Sequence, residues 1–356
     1  MIKPTSIALL FLCSALLFSC QSTDVGNSAS ANFTEGPVCE WPCTEEDKLT
    51  AAAMFETPSA LQTDIAPLTN LPALANCPMF PANNIWNARV DSLAVHAMSD
   101  AWIDSIGRDE GFHMDFGSGE WDGGLIGIPY NVISGSTISK STVDFYYPDE
   151  SDGGPYPIPD NPQIEYGSDH HILVVDTDTC ILYEIYDASF DNSQWSGGSG
   201  AVWDLNSNAL RPATWTSADA AGLPILPGLV RYDEILAGEI KHALRFTVEN
   251  TAGYIWPARH FTSDPRDGIP PMGARFRLKA GYDISGFPRE MKVILQAMKT
   301  YGIILADNGS NWYVSGSPDE RWDNGMLHLL DVLTGGDFEA VDTSILMVDV
   351  DSGEAK

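Results

Sequence analysis

Residues 170–186 constrain the fold more than any other stretch of the chain. Two apolar runs, residues 171–175 and 180–186, flank a polar turn at Asp176-Thr177-Asp178-Thr179. Successive strand side chains point to opposite sides, so runs that are apolar at successive positions need cover on both faces. The pattern therefore predicts a β-hairpin in the middle of a sheet.

Other segments predict a mainly β domain with a few helices. Pro288, an apolar stripe at Met291, Ile294, Leu295 and Met298, and Gly302 outline a helix. Asp307-Asn308-Gly309 predicts a second hairpin, with residues 303–305 entering and 312–314 returning. The remaining predicted elements are a helix over 91–106 and strands over 243–248, 253–256 and 274–279. With 31 Gly and 23 Pro in addition, we expect a β-sandwich, a jelly roll or a barrel-like single large domain.

The charge of the chain excludes one class of partner and is unevenly distributed. A formal net charge of −30 argues against nucleic-acid binding, which requires a basic surface. Twelve of the 19 Lys and Arg nevertheless fall within residues 211–299. This basic segment either attracts an anionic ligand or pairs internally with the acid-rich residues 100–210.

The N-terminal 20 residues have the pattern of an export signal. Lys3 precedes an apolar run that is too short to span a bilayer. Leu17-Phe18-Ser19-Cys20 resembles the lipobox of bacterial lipoproteins. The resemblance implies cleavage before Cys20, lipidation of Cys20 and, since Gln21 is not Asp, anchoring outside the cytoplasm at the outer membrane.

Composition divides the remainder into a tether at residues 21–76 and a globular domain at residues 77–348. The tether is rich in Ser, Asn, Thr and Pro, with a short helix expected over 44–55. Of the cysteines outside the signal, proximity favours a Cys39–Cys43 disulfide, which leaves Cys77 to pair with Cys180. A zinc half-site at Cys39 and Cys43 is the alternative.

Histidines at the ends of predicted strands are the first candidates for chemistry. His170 or His171, together with His242 and His260, could converge at one mouth and hold a divalent metal. Alternatively one of them acts as a general base, with Tyr254 or Tyr183 as the acid. His96, His113 and His328 are not accompanied by other candidate residues and are interpreted as structural.

Carboxylates in polar loops form a rival site. Asp204, Asp307 and Glu165 lie beside loops rich in Gly, Asn or aromatic residues, and a glycosidase needs two such carboxyls. Asp307 is equally explained as ordinary turn chemistry before Asn-Gly. The acidic run at residues 149–154 does not have the spacing of an EF-hand, which favours a solvated loop.

Arginine and tryptophan residues supply candidate substrate contacts. Sugar rings stack on aromatic faces, and arginines bind hydroxyls or uronate carboxylates. The candidates are Arg211, Arg245, Arg259, Trp256, Trp312 and Trp322.

These features favour a surface-anchored enzyme that cleaves a polysaccharide, anionic in the version that uses the basic segment. In a lyase version, Arg245 or Arg259 neutralises a uronate while a histidine removes the α-proton; in a hydrolase version, Asp204 and Asp307 act. The alternatives are a non-catalytic lipoprotein that binds oligosaccharides and a metal-binding structural protein of the envelope.

Overall fold

The computed structural model describes Leu74 and residues 77–356. The signal, the lipobox, the tether helix and the Cys39–Cys43 pair all lie outside these described residues. The described part belongs to one unit, Gln62–Lys356. Residues beyond the expected boundary at 348 pack on this unit, since Ile85 N donates to the Gly353 carbonyl at 2.8 Å.

The described part has strands in four sheets and a few helices, which confirms the mainly β fold. The α-helices are α1 (Ser99–Ile106), α2 (Tyr232–Ala237), α3 (Arg289–Thr300) and α4 (Asn324–Leu327). The strands are β1 (His113–Asp115), β2 (Glu120–Trp121), β3 (Gly124–Leu125), β4 (Tyr130–Ile133), β5 (Val143–Phe145), β6 (Ile172–Asp176), β7 (Ile181–Tyr186), β8 (Ser189–Asp191), β9 (Gln194–Gly197), β10 (Ser199–Asp204), β11 (Leu244–Val248), β12 (Arg275–Leu278), β13 (Ile303–Asn308), β14 (Tyr313–Ser315) and β15 (Phe338–Val341).

The predicted central hairpin is confirmed. Strands β6 and β7 pair antiparallel and occupy the middle of a four-stranded sheet with the order β10-β7-β6-β4. Every residue of β6 is buried, as the two-faced apolar pattern requires. Two small sheets, β2-β3 and β5-β9-β8, complete the part of the chain that the structure describes, and no sheet there closes into a barrel.

The predicted second hairpin is wrong, because another strand lies between its arms. The six-stranded sheet has the order β1-β14-β11-β13-β12-β15, so β11 separates β13 from β14. The Asp-Asn-Gly segment passes over the end of β11, where Gly309 N donates to the Val248 carbonyl at 3.0 Å. Thr247 Oγ1 donates to the Ser310 carbonyl at 2.8 Å. These hydrogen bonds join residues 309 and 310 to the end of β11, which lies between β13 and β14.

The helix predicted after Pro288 is confirmed, and two other elements differ from expectation. All four residues of its stripe are buried in α3, and Gly302 follows the helix with a φ of 70° that favours glycine. The helix expected over 91–106 is confined to α1, since residues 91–98 form turns, a bend and an isolated bridge. Residues 253–256 form no strand; Tyr254 makes only an isolated bridge to Met272.

The predicted disulfide between Cys77 and Cys180 is present. It joins the beginning of the described segment to the turn between β6 and β7. Among the described residues there is no helix with both the length and the apolar character needed to cross a membrane.

Candidate functional site

One face of the six-stranded sheet is polar around its centre. Parallel pairing of β1 with β14 sets His113 beside Tyr313 and Asp115 beside Ser315. Thr247 of β11 pairs with Tyr313 on one side and with Asp307 of β13 on the other. The intervening positions Met114, Val314 and Phe246 are buried in the hydrophobic core. Strand alternation therefore separates a core face from a face that carries ionisable groups.

Five ionisable side chains, Glu165, His171, Asp219, Arg245 and Asp307, form what we call the charged centre. Arg245 of β11 contacts the loop that carries Asp219 and the strands β13 and β14. Its Nε and Nη2 donate to the two carboxylate oxygens of Asp219 at 2.8 and 2.6 Å. Nη2 also donates to Asp307 Oδ2 at 3.0 Å, and Nη1 to Ser315 Oγ at 2.5 Å. Both Arg245 and Asp219 are buried.

His171 and Glu165 form the second pair of the charged centre. His171 Nε2 donates to the Ala218 carbonyl at 3.0 Å, while Nδ1 makes a short contact with Glu165. Burial alone would favour neutral imidazole, but the Glu165 carboxylate outweighs it and raises the pKa of His171 to about 9. Burial likewise opposes ionisation of Glu165, yet the facing His171 cation lowers the pKa of that carboxyl.

Asp307 is the carboxyl of the charged centre whose pKa is raised. Burial, and then the neighbouring negative charge of Asp219, raise the pKa of Asp307 well above its ordinary value, although Arg245 opposes the shift. Three carboxyls face the two cations Arg245 and His171. The raised pKa of Asp307 favours a proton there, which would leave the centre without net charge and lower the cost of burying it.

A cleft of about 780 Å³ lies beside the charged centre, and Glu165 of that centre forms part of its lining. The strand β1 forms part of its wall, where the His113 ring lies 4.5 Å from the Tyr313 ring and 6.4 Å from the His328 ring, centroid to centroid. His328 Nδ1 lies 2.9 Å from Asp331 Oδ2. Asp115 and Glu120 also line the cleft.

Two carboxyls of the cleft have pKa values that shift in opposite directions. Asp115 is exposed to the cleft, yet the surrounding protein raises its pKa; His113 and Arg245 lower it, and the negative charge of Glu165 raises it further. Glu165, by contrast, is kept ionised by His171. Acid–base catalysis uses two carboxyls in one cleft, one with a raised pKa and one with a lowered pKa.

Two exposed aromatic rings stand at the same cleft. Trp121, at the end of β2, is 76% exposed, and Tyr166 is 48% exposed. The Tyr166 hydroxyl donates to the Asp122 carbonyl, and its ring covers Gly124 so closely that a Cβ there would collide with it. Tyr166 thus holds the β2-β3 hairpin that presents Trp121.

Among the described residues, the histidines predicted to hold a metal do not form one set of ligands, although His171 and His260 contact the neighbouring carbonyls of Ala218 and Ala220. His242 is buried, with Nδ1 facing the Ala243 carbonyl and Nε2 lying 3.0 Å from Glu234. His260 Nδ1 lies 2.7 Å from the Ala220 carbonyl, and His170 is exposed beside Asp187. Of these residues, only His171 belongs to a group with metal-holding geometry within the described residues.

The arginines proposed for substrate binding are buried and paired inside the protein. Arg211 contacts Asp152 at 2.5 Å and Arg259 contacts Asp351 at 2.5 Å, and Arg245 belongs to the charged centre. All three arginines are therefore paired internally, but only Arg211 pairs with the acid-rich residues 100–210 as expected; the partners of Arg245 and Arg259 lie outside that segment.

The other residues that the sequence predicted for the site also make contacts within the protein. Trp312 and Trp322 are core residues, and the indole of Trp256 donates to the Ser352 carbonyl at 2.8 Å. The Tyr254 ring stacks near Phe261. Asp204 is exposed and accepts from Asn206 N at 2.9 Å, which is a turn contact. In the acidic run 149–154, Asp152 Oδ2 accepts from Val202 N.

Sequence reasoning missed several residues of the cleft. His113 was interpreted as structural, and Asp115 and Trp121 were not singled out. Their partners Tyr313 and His328 lie far along the chain, so only the parallel pairing of β1 with β14 reveals the site. The polar alternation His113-Met114-Asp115 was the one local signal.

Glu165, Asp169 and His171 together have a geometry that could hold a metal ion, because one ligand atom of each lies within 4.8 Å of the others. No family model matches the chain, and no curated protein or solved structure is significantly similar to it.

Proposed function

We propose that the chain is a glycan hydrolase whose reaction takes place in the cleft between Asp115 and Glu165. The observation that carries this proposal is that one cleft contains two carboxyls with opposite pKa shifts and two exposed aromatic rings. Glycoside hydrolysis requires a carboxyl pair, and aromatic rings bind sugar faces.

The two carboxyls have different roles in this reaction. Asp115, with its raised pKa, donates a proton to the glycosidic oxygen as the bond to the anomeric carbon breaks. Glu165 stays ionised and accepts the proton of the attacking water. His171 is a positioning residue, because its ring holds the Glu165 carboxylate and is itself fixed by the Ala218 carbonyl.

The cleft favours a neutral glycan over an anionic one. Its ionisable lining consists of the carboxyls of Asp115, Glu120, Glu165 and Asp331 and the two imidazoles His113 and His328. Arg245 and Arg259, which the lyase version requires to neutralise a uronate, are buried in ion pairs. An anionic sugar would meet repulsion here, so hydrolysis of a neutral chain replaces the lyase version.

Two further parts of the proposal concern anchoring and cofactors. The lipobox-like segment ending at Cys20 supports action outside the cytoplasm, on a lipid anchor. Divalent cations are the second class of ligand that we propose, because Glu165, Asp169 and His171 offer three ligand atoms to one ion.

The test is a screen of neutral polysaccharides for release of reducing ends. Asp115→Asn and Glu165→Gln should each lower turnover by about 10²-fold or more, the scale for losing an acid–base group. Trp121→Ala should chiefly raise KM, because it removes a stacking surface. The exposed Asp264 provides a matched control, and Asp264→Asn should leave turnover unchanged.

The same screen separates the enzyme from a binding protein. Retention of a glycan without release of reducing ends, weakened by Trp121→Ala but not by Asp115→Asn, would replace hydrolysis with glycan binding. Far-UV circular dichroism of each variant distinguishes a lost reaction from a lost fold.

A further inference from the structure

The geometry of His171 prepares one of its nitrogens for a metal ion. The Ala218 carbonyl can only accept, so Nε2 carries a proton and donates to it at 3.0 Å. Metal-binding histidines are commonly oriented by this kind of bond to a backbone carbonyl. The other nitrogen, Nδ1, faces Glu165 and is available for an ion once it is free of a proton.

The two carboxylates beside that nitrogen complete a set of three ligands. Glu165 and Asp169 are half-buried, and each places an oxygen within 4.8 Å of a ring nitrogen of His171 and of the other carboxylate. With a neutral imidazole the set carries two negative charges, which match a divalent cation. The nearby Arg245 is already paired with Asp219, which reduces its repulsion of an ion.

The ligand types and their position indicate the class of metal. One imidazole and two carboxylates suit a divalent transition ion such as Zn²⁺ or Mn²⁺. Three protein ligands leave further coordination positions open. Since Glu165 lines the cleft, an ion held by it is bound at the edge of the space that receives the glycan.

We propose that Glu165, Asp169 and His171 bind one divalent transition-metal ion, and that this ion inhibits hydrolysis by occupying Glu165. The ion replaces the proton held between Nδ1 and the carboxylate, and that proton is released to water. Ligand atoms about 2.0 Å from a tetrahedral ion lie about 3.3 Å apart, so Glu165 must move away from His171. A carboxylate bound to the ion no longer accepts a proton from water. The inhibition rests on the proposed hydrolysis of glycans, whereas the binding of the ion does not.

The first experiment measures binding to the full chain by isothermal titration calorimetry with Zn²⁺ at physiological ionic strength, because the acidic surface attracts cations weakly at many places. We expect one tight site, weakened about 10-fold or more by Asp169→Asn. The control Asp264→Asn should bind as the parent does. Bound Mn²⁺ should show one nitrogen ligand in electron spin echo measurements. Absence of a tight site, or equal affinity in Asp169→Asn, would overturn the proposal.

The second experiment measures hydrolysis with and without Zn²⁺. The rate of each protein in a chelator is its own reference, because an Asp169 oxygen lies within 4.8 Å of the Glu165 carboxylate. The variant compared with the parent is Asp169→Asn. It should need about 10-fold more Zn²⁺ for half inhibition, in line with its weaker binding. Equal sensitivity of parent and variant would overturn the inhibitory role. A chain that binds one Zn²⁺ through Asp169 but hydrolyses no glycan would remove the proposed hydrolase and its inhibition and leave the metal site standing.

Discussion

Arg245 and Asp219 are joined by two hydrogen bonds, from Nε to Oδ2 at 2.8 Å and from Nη2 to Oδ1 at 2.6 Å, and both side chains are buried. The pair ties the loop that carries Asp219 to the central strand β11. A charge-assisted pair with two parallel bonds holds its partners in one geometry. This pair therefore fixes part of the polar face of the large sheet from inside the protein.

Loss of this pair should destabilise the fold. Arg245→Ala leaves the buried Asp219 carboxylate without its cation, which we expect to cost about 3–5 kcal/mol in the free energy of unfolding. Urea unfolding at neutral pH measures it. The exposed pair of Arg108 and Asp104 is the control, and Arg108→Ala should cost less than about 1 kcal/mol. Parental stability of Arg245→Ala would contradict the structural role assigned to the pair.

Stability should fall as the pH rises above neutrality. The pKa of His171 is raised from 6.5 to about 9, so its ion pair stabilises the fold fully below pH 6.5 and is lost as the pH rises through 9. The loss should be on the order of 3 kcal/mol.

The measurement is the free energy of unfolding at several pH values, with divalent cations chelated. His171→Gln keeps a donor for the Ala218 carbonyl but cannot ionise, so its stability should change less over the same interval. An identical pH dependence in the parent and in His171→Gln would contradict the charged state assigned to the imidazole.

Reduction of the disulfide should also destabilise the protein. Cys77 and Cys180 are 103 positions apart, and closing a loop of that length restricts the unfolded chain by about 4–5 kcal/mol in the chain-entropy model. Unfolding of the parent with and without a reductant measures the effect. The double variant Cys77→Ala, Cys180→Ala should match the reduced parent and show no response to the reductant; a response there would point to another bond.

Lipid attachment is predicted from the sequence alone. Replacing Cys20 by Ala should abolish labelling by a fatty-acid probe and release the protein from the membrane fraction, because the acyl chains provide the anchor. Fractionation of the parent and of Cys20→Ala side by side is the measurement. Retention of Cys20→Ala in the membrane would show that something else holds the chain there.

The elements that could be predicted are those whose signal is local. Strands β6 and β7 follow from a two-faced apolar pattern, and α3 from an apolar stripe between Pro288 and Gly302. The Cys77–Cys180 bond followed from assigning the other two cysteines to each other. In each case the information lies within one short segment or in a simple count.

The features that could not be predicted depend on contacts between distant segments. The pattern around Asp307-Asn308-Gly309 is typical of a hairpin, and no residue there shows that β11 enters between its arms. Asp219 lies in an alanine-rich loop with no charged neighbour in sequence, so its burial against Arg245 has no local signal. The candidate site was missed for the same reason. Strands β1 and β14 are far apart in the sequence and become neighbours only in the folded sheet.

The position of β11 between β13 and β14 has a consequence for how the chain reaches its folded state. Both neighbours of this central strand lie later in the sequence, and the edge strand β15 ends at Val341. A growing or translocating chain therefore has no partner for β11 until residues beyond 303 arrive. Such late, long-range pairing slows folding. This delay leaves β11 unpaired until late in the synthesis of the chain, and a chain shortened before β13 would leave this central strand without either neighbour.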